Sequence, residues 1–304
     1  MRHLKSLMVA ALLLAGCSTT TTNEPVKVLS PTGAPALSLL EAASEESENT
    51  FEFVTGSEVV SAELVKDDSE YDIIIAPVNL GAKMIEAGKS PYRLKAVITW
   101  GNLYLVGTSE NALNEEGTFA TFGEGSVTDF VLRQAVDLDN ITPEIVMYSS
   151  AQDVQGALLS GNANCGMLAE PAVTATIQKA KEQGIELQVI ENLQTAYQEK
   201  MGTDLEGFPQ AAIFVKEGSE DKCANVISTI ETFVNETAVN DPDKIVELVD
   251  AIGADTLGVP SAAISKATWE RQNIHYVEAS ECTDDLTTLL SLMNIEFSEE
   301  MLSK

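Results

Sequence analysis

Strand-like and helix-like stretches alternate along this chain in two successive runs, and that rhythm limits the fold more than any other feature. Residues 71–76 read Tyr-Asp-Ile-Ile-Ile-Ala, the short continuous apolar run of a strand buried on both faces. Around it the first run predicts strands at 26–30, 50–54, 94–100 and 103–107, with helices at 35–48, 57–67 and 78–87. Pro35 stands at a first helical position, where its missing N–H costs nothing. The rhythm then restarts with strands at 118–122, 144–148, 164–169 and 187–190, separated by helices that begin near Ser126, Ser150 and Pro171. Ser126 with Asp129, and Ser150 with Asp153, have the spacing of capping pairs. Strand, helix, strand in series is the signature of parallel α/β sheets, so two α/β lobes stand in tandem. The remainder, a strand at 211–215 and helices at 220–237, 242–252, 260–267 and 283–293, makes no third lobe and is expected to return to the first.

Composition narrows the partners. The chain has 304 residues, 44% hydrophobic, with 18 Lys+Arg against 47 Asp+Glu and a formal charge of −29. A core of useful size is therefore available. The carboxylate surplus repels phosphate backbones, which speaks against nucleic acid, and it equally disfavours docking on anionic lipid through a basic patch.

The N-terminus begins basic (Arg2, Lys5) and continues with an apolar run from Leu7 to Ala15, the pattern of a secretory signal. That run falls short of the roughly 20 apolar residues that span a bilayer. The junction Leu14-Ala15-Gly16-Cys17 resembles the bacterial lipobox, which implies cleavage before Cys17 and lipidation of its thiol. Residues 1–16 are then a signal peptide and 17–25 a polar tether. Loss of Arg2 and Lys5 leaves 16 basic against 47 acidic side chains. An exported chain permits disulfides. Of Cys165, Cys223 and Cys282, the last two sit near starts of C-terminal helices, so a Cys223–Cys282 pair is expected; three reduced thiols are the alternative.

Chemical motifs are scarce. His275 is the only histidine after the signal, so paired-His metal sites and most His-based catalytic groups are out of reach. There is no phosphate loop, nucleophile elbow or calcium loop. Gly123-x-Gly125-x-x-Thr128 lacks the third glycine of a dinucleotide fingerprint. Neither a metal nor a cofactor is expected.

The positive signal is where the turns fall. Ligands of parallel α/β sheets bind beyond the carboxyl ends of strands, where helix N-termini present free N–H groups. Segments 32–35, 76–79 and 99–102 have that placement in the first lobe, and 123–128 and 169–171 in the second. Any one of them is accounted for by an ordinary helix start; their recurrence in both lobes points to one cleft between the lobes. The candidate ligand-binding residues are Thr32, Gly33, Ala34, Pro77, Asn79, Trp100, Gly125, Ser126, Val127, Thr128, Glu170 and Phe208. Trp100, Phe122 and Phe208 could offer stacking faces.

Three stretches carry a family resemblance. They are the lipobox with Val28-Leu29-Ser30-Pro31-Thr32-Gly33-Ala34-Pro35, then Tyr71-Asp72-Ile73-Ile74-Ile75-Ala76-Pro77, then Leu158 through Pro171 with its Glu170-Pro171. Together they resemble ABC-transporter solute-binding lipoproteins of the nitrate/sulfonate/taurine branch, which includes binders of thiamine precursors. The resemblance implies a type II periplasmic-binding-protein fold: two lobes, each a mainly parallel sheet flanked by helices, joined by two crossing strands. The crossings are expected near 105–109 and 211–215. Lobe 1 would then be 26–107 plus 211–304, and lobe 2 would be 108–210. The resemblance also implies a lipid-anchored protein outside the cell membrane that captures a solute, performs no reaction, and delivers it to a permease driven by an ATPase subunit. Glu124 and Glu170 favour an amine or pyrimidine N–H donor as ligand, although a Glu at a helix start also simply suits the helix dipole. A small organic solute, sulfonate or heteroaromatic, is favoured over inorganic nitrate. The rival readings are an enzyme of quinone or pyrimidine biosynthesis on the same fold, and a surface lipoprotein with no transport role.

Overall fold

The computed structural model describes residues 24–44, 48–203 and 205–304; the signal, Cys17 and most of the tether lie outside these described residues. Among the described residues eleven strands form two sheets. The first holds β1 (Lys27–Pro31), β2 (Thr50–Val54), β3 (Ile73–Pro77), β4 (Tyr92–Thr99), β10 (Ala211–Lys216) and β11 (Ile274–Glu278), in the order β11-β4-β10-β3-β1-β2. The second holds β5 (Leu103–Gly107), β6 (Thr118–Phe122), β7 (Glu144–Tyr148), β8 (Cys165–Ala169) and β9 (Gln188–Asn192), in the order β7-β6-β8-β5-β9. Both sheets are built alike. Each has three parallel strands and one strand that enters directly from a connection between the sheets and inserts antiparallel beside the third of them: β10 against β3 and β4, β5 against β8 and β9.

The isoleucine run shows why β3 is central. Successive strand side chains point to opposite faces, so Ile73 and Ile75 enter one core and Ile74 and Ala76 the other. All four are fully buried. The helix Glu220–Thr232 covers one face through Val226 and Ile230. The helix Thr283–Leu292 covers the other through Leu286 and Leu290, while its Leu289 enters the core of the second lobe. Most of the tail does return to the first lobe, and this last helix spans both.

The structure corrects several expectations. All five residues of β5 are buried, and the strand pairs with β8 and β9, so Leu103–Gly107 belongs to the second sheet. The first connection therefore falls at residues 100–102 and the second at 207–210, in both cases before the expected crossings. The lobe boundary moves accordingly. A continuous apolar run is what a central strand requires, and its length alone does not say which sheet receives it. The strand β11 and the helix Leu193–Met201 were not anticipated. The helix expected over 35–48 is interrupted after Leu37 and resumes at Leu40.

Cys223 and Cys282 are not joined. All three described cysteines are free and buried. Cys223 lies in the core on one face of the first sheet and Cys282 on the other, so the sheet itself separates them. Burial pushes each thiol up to about 12. Buried cysteines of this kind act as small hydrophobes. Among the described residues no helix is long and apolar enough to cross a membrane.

Candidate ligand-binding site

The carboxyl ends of the parallel strands in both sheets open on one cavity of about 620 Å³. Its first-lobe wall is Thr32, Gly33 and Ala34 after β1, and Pro77 and Asn79 after β3. Its second-lobe wall is Gly125, Ser126, Val127 and Thr128 after β6, with Glu170 after β8. Ten of the twelve residues expected from the sequence are thus brought together. Thr99, Asn102 and Gln210 form the floor, at the two connections.

Trp100 and Phe208 are not in the cavity wall. Both are fully buried. Trp100 stacks on His275, with ring centroids 5.3 Å apart and planes 11° from parallel. Phe208 meets Tyr197 edge to face at 5.5 Å. The reason is that the two connections pack on each other: the Phe208 N–H donates to the Trp100 carbonyl at 3.0 Å, and the Asn273 side chain donates to the same carbonyl at 2.9 Å. Their aromatic rings fill the joint beneath the cleft. Phe122, half-buried, is the aromatic residue that does line the cavity. His275 sits in this joint, half-buried, and burial holds its imidazole down at about 4. Among the described residues no cluster of His, Cys, Asp or Glu could hold a metal ion.

Helix starts face the cavity from both lobes. The helix Val78–Glu86 begins at Pro77 and the helix Val127–Ala135 at Ser126, and neither capping residue bonds a backbone N–H through its side chain. The spacing of Ser126 and Asp129 predicts a capping pair, but the hydroxyl turns elsewhere. Ser126 Oγ donates to the Gly123 carbonyl at 2.5 Å and lies 2.7 Å from Thr128 Oγ1. Asp129 instead accepts from the Gly125 N–H at 3.0 Å and pairs with Arg133 at 2.9 Å, which fixes the loop. Gly123 and Gly125 hold φ of 80° and 70°, values that favour glycine and let the loop fold back on the helix start. The Ser150–Asp153 pair, away from the cavity, does cap as expected: Ser150 Oγ accepts from the Asp153 N–H at 3.2 Å. The Val78 N–H donates to the Gln210 carbonyl at 3.0 Å, and beyond that bond both helix starts turn the positive end of their dipole to the cavity without a side-chain cap.

Glu170 is different. Its residue lines the cavity, but its side chain is fully buried. The carboxylate accepts from the Thr174 N–H at 3.1 Å and Thr174 Oγ1 at 2.9 Å, so it serves the start of the helix Ala172–Glu182. It also pairs with Arg271. The carboxylate thus serves a helix start, in keeping with the helix-dipole reading, and is already paired. Among the described residues no Lys or Arg lines the cavity.

Among the lining residues that the sequence reading missed are Ser57, Leu80, Gln210 and Gly258. Ser57 follows β2 and opens the helix Glu58–Leu64, so the same strand-end rule could have found it. Gly258 comes from the tail and packs on Thr32; no local signal announces such a contact.

No protein-family model matches the chain, and no curated protein sequence matches it. Solved structures do. An ABC transporter structure from Parabacteroides distasonis is 19% identical, with a TM-score of 0.74 over 91% of this chain and 94% of that one. The periplasmic aliphatic sulphonate-binding protein SsuA of Escherichia coli is 13% identical, with a TM-score of 0.63 over 92% of each chain. A Candida albicans protein said to exhibit the generic periplasmic binding protein structural fold is 14% identical, with a TM-score of 0.54 over 91% and 93%. With two like-built lobes facing one cavity, the chain has the two-lobed periplasmic-binding-protein fold.

Proposed function

We propose that this protein is an extracytoplasmic solute-binding lipoprotein of an ABC importer. It captures a small organic solute between its lobes, leaves it chemically unchanged, and passes it to a membrane permease. The observation that carries this reading is the pair of uncapped nine-residue helices, one from each lobe, that open on the same cavity. Such starts suit an anionic or acceptor-rich head group without any Lys or Arg. Leu80, Phe122 and Val127 offer apolar surface to the rest of the solute. A volume of about 620 Å³ lies within the range of small-molecule sites. With Glu170 already paired, a sulfonate-type solute fits better than an amine or pyrimidine donor. A ligand that touches both lobes favours the closed arrangement by its differential affinity.

A thermal-shift screen of the soluble body against sulfonates, carboxylates, pyrimidines and amines tests the reading. An anionic organic solute is expected to raise the melting temperature; a library that produces no stabilisation at all refutes solute binding.

Ser126→Asp separates ligand binding from capping. Asp loses the bond that the Ser126 hydroxyl donates to the Gly123 carbonyl but is as good an N-cap as Ser, so the variant should unfold within about 1 kcal/mol of wild type. Its carboxylate would occupy the donors that face the cavity, and affinity for an anionic solute should fall by about tenfold or more. Calorimetric titration beside urea denaturation reads both. A fall in stability with affinity intact would assign Ser126 to the fold alone. Cys17→Ser should move the protein from the membrane fraction of producing cells to the soluble fraction; retention on the membrane contradicts the anchor.

A further inference from the structure

In the second-lobe wall of the cavity lies a carboxylate with no exposed surface, Glu170, and the cation that faces it comes from the other lobe. Arg271 belongs to the turn that leads into β11 of the first sheet, whereas Glu170 follows β8 of the second. The guanidinium is held in place before any ligand arrives. Its carbon lies 5.0 Å from the centre of the Tyr104 ring, and the Tyr104 hydroxyl donates to the Arg271 carbonyl at 3.0 Å. Burial pushes the Tyr104 phenol up, against the opposing pull of Arg271, so it stays a neutral donor. Asn102 closes the other side: its amide donates to the Glu170 carbonyl at 2.8 Å, and the Glu170 N–H donates to the Asn102 carbonyl at 2.9 Å. Glu124, the other acid on the cavity wall, is exposed.

We propose that Arg271, a residue outside the cavity wall, sets the charge class of the ligand. By pairing with Glu170 across the lobe boundary it offsets a negative charge in the cavity wall, so that the cavity takes an anionic head group and turns away an ammonium. The proposal rests on the reading of this cavity as a solute site. At an effective dielectric constant of about 20, a unit charge anywhere within about 10 Å of a monovalent ion shifts its affinity by about tenfold or more. That is enough to invert a preference built from helix starts and hydroxyls alone.

The test is calorimetric titration at pH 8 with propanesulfonate and propylammonium, two solutes alike except in the sign of the head group. Wild type, Arg271→Gln, Glu170→Gln and the double variant are compared. The ratio of affinities should move toward the ammonium by about tenfold or more in Arg271→Gln, move the opposite way in Glu170→Gln, and return near the wild-type value in the double variant. A ratio in Arg271→Gln that matches wild type overturns the proposal. If wild type binds neither probe, a gain of propylammonium binding in Arg271→Gln supports it and no gain overturns it. Circular dichroism checks folding. Should Arg271→Gln not fold, Glu170→Gln decides: its amide can still accept from Thr174, and an unshifted ratio sinks the idea. Failure of the broader reading is a separate result, the absence of any stabilising solute for wild type.

Discussion

Gly207→Ala is expected to cost about 3 kcal/mol of unfolding stability, the sum of a left-handed backbone penalty and an overpacking penalty of similar size. Gly207 has φ of 101°, and a Cβ there would stand 1.9 Å from the Trp100 carbonyl oxygen and 2.8 Å from the Asn273 amide nitrogen. That carbonyl is where the two connections are bound to each other. Backbone cannot yield as the tip of a flexible side chain can, so the clash must open the joint between the lobes. Gly125→Ala is the control. Its φ is 70°, and nothing lies within 4 Å of the added carbon. It should lose only the conformational share, about 1 kcal/mol. Urea denaturation of both variants reads the difference. If Gly207→Ala loses no more than Gly125→Ala, the connections are not locked at Trp100.

Acid is expected to weaken the same joint. The His275 imidazole stacks on Trp100 and is held down at about 4 by burial, against about 6.5 in an unfolded chain. Between those two values the unfolded chain binds a proton that the folded one refuses. Protonation therefore favours unfolding as pH falls through this window, and the full contribution of the neutral ring is present only above about 6.5. The loss reaches as much as about 3 kcal/mol near pH 4. His275→Phe keeps a flat ring against Trp100 and cannot titrate. Denaturation curves of wild type and His275→Phe from pH 7 to 4 should diverge, with wild type losing more. Parallel curves would mean that the folded protein accepts the proton without penalty.

What could be read in the chain and what could not divide along the range of the forces involved. The run Ile73-Ile74-Ile75 announces a doubly buried strand because its signal is local, and β3 is found where that run lies. The turns after β1, β3, β6 and β8 are equally local, and the residues in them do meet at the cavity. Sheet order is not local. Leu103–Gly107 looks the same whether it ends one sheet or enters the next; pairing with β8 and β9 settles it. Trp100 and Phe208 looked like ligand platforms because aromatic residues near strand ends often are. Contact between two connections distant in sequence turned them into core. Glu170 was legible as a helix start but not as half of an ion pair, since Arg271 lies in a different lobe. The Ser126 hydroxyl fits a capping pattern by spacing and departs from it because the glycine loop before it offers the Gly123 carbonyl at closer range.

A crystal structure with the most stabilising solute from the thermal screen tests the central claim most directly. The account predicts an unaltered solute between Asn79 of one lobe and residues 126–128 of the other, with its acceptor atoms toward the two helix starts. A solute bound on one lobe alone, at another surface, or recovered in chemically changed form would contradict it.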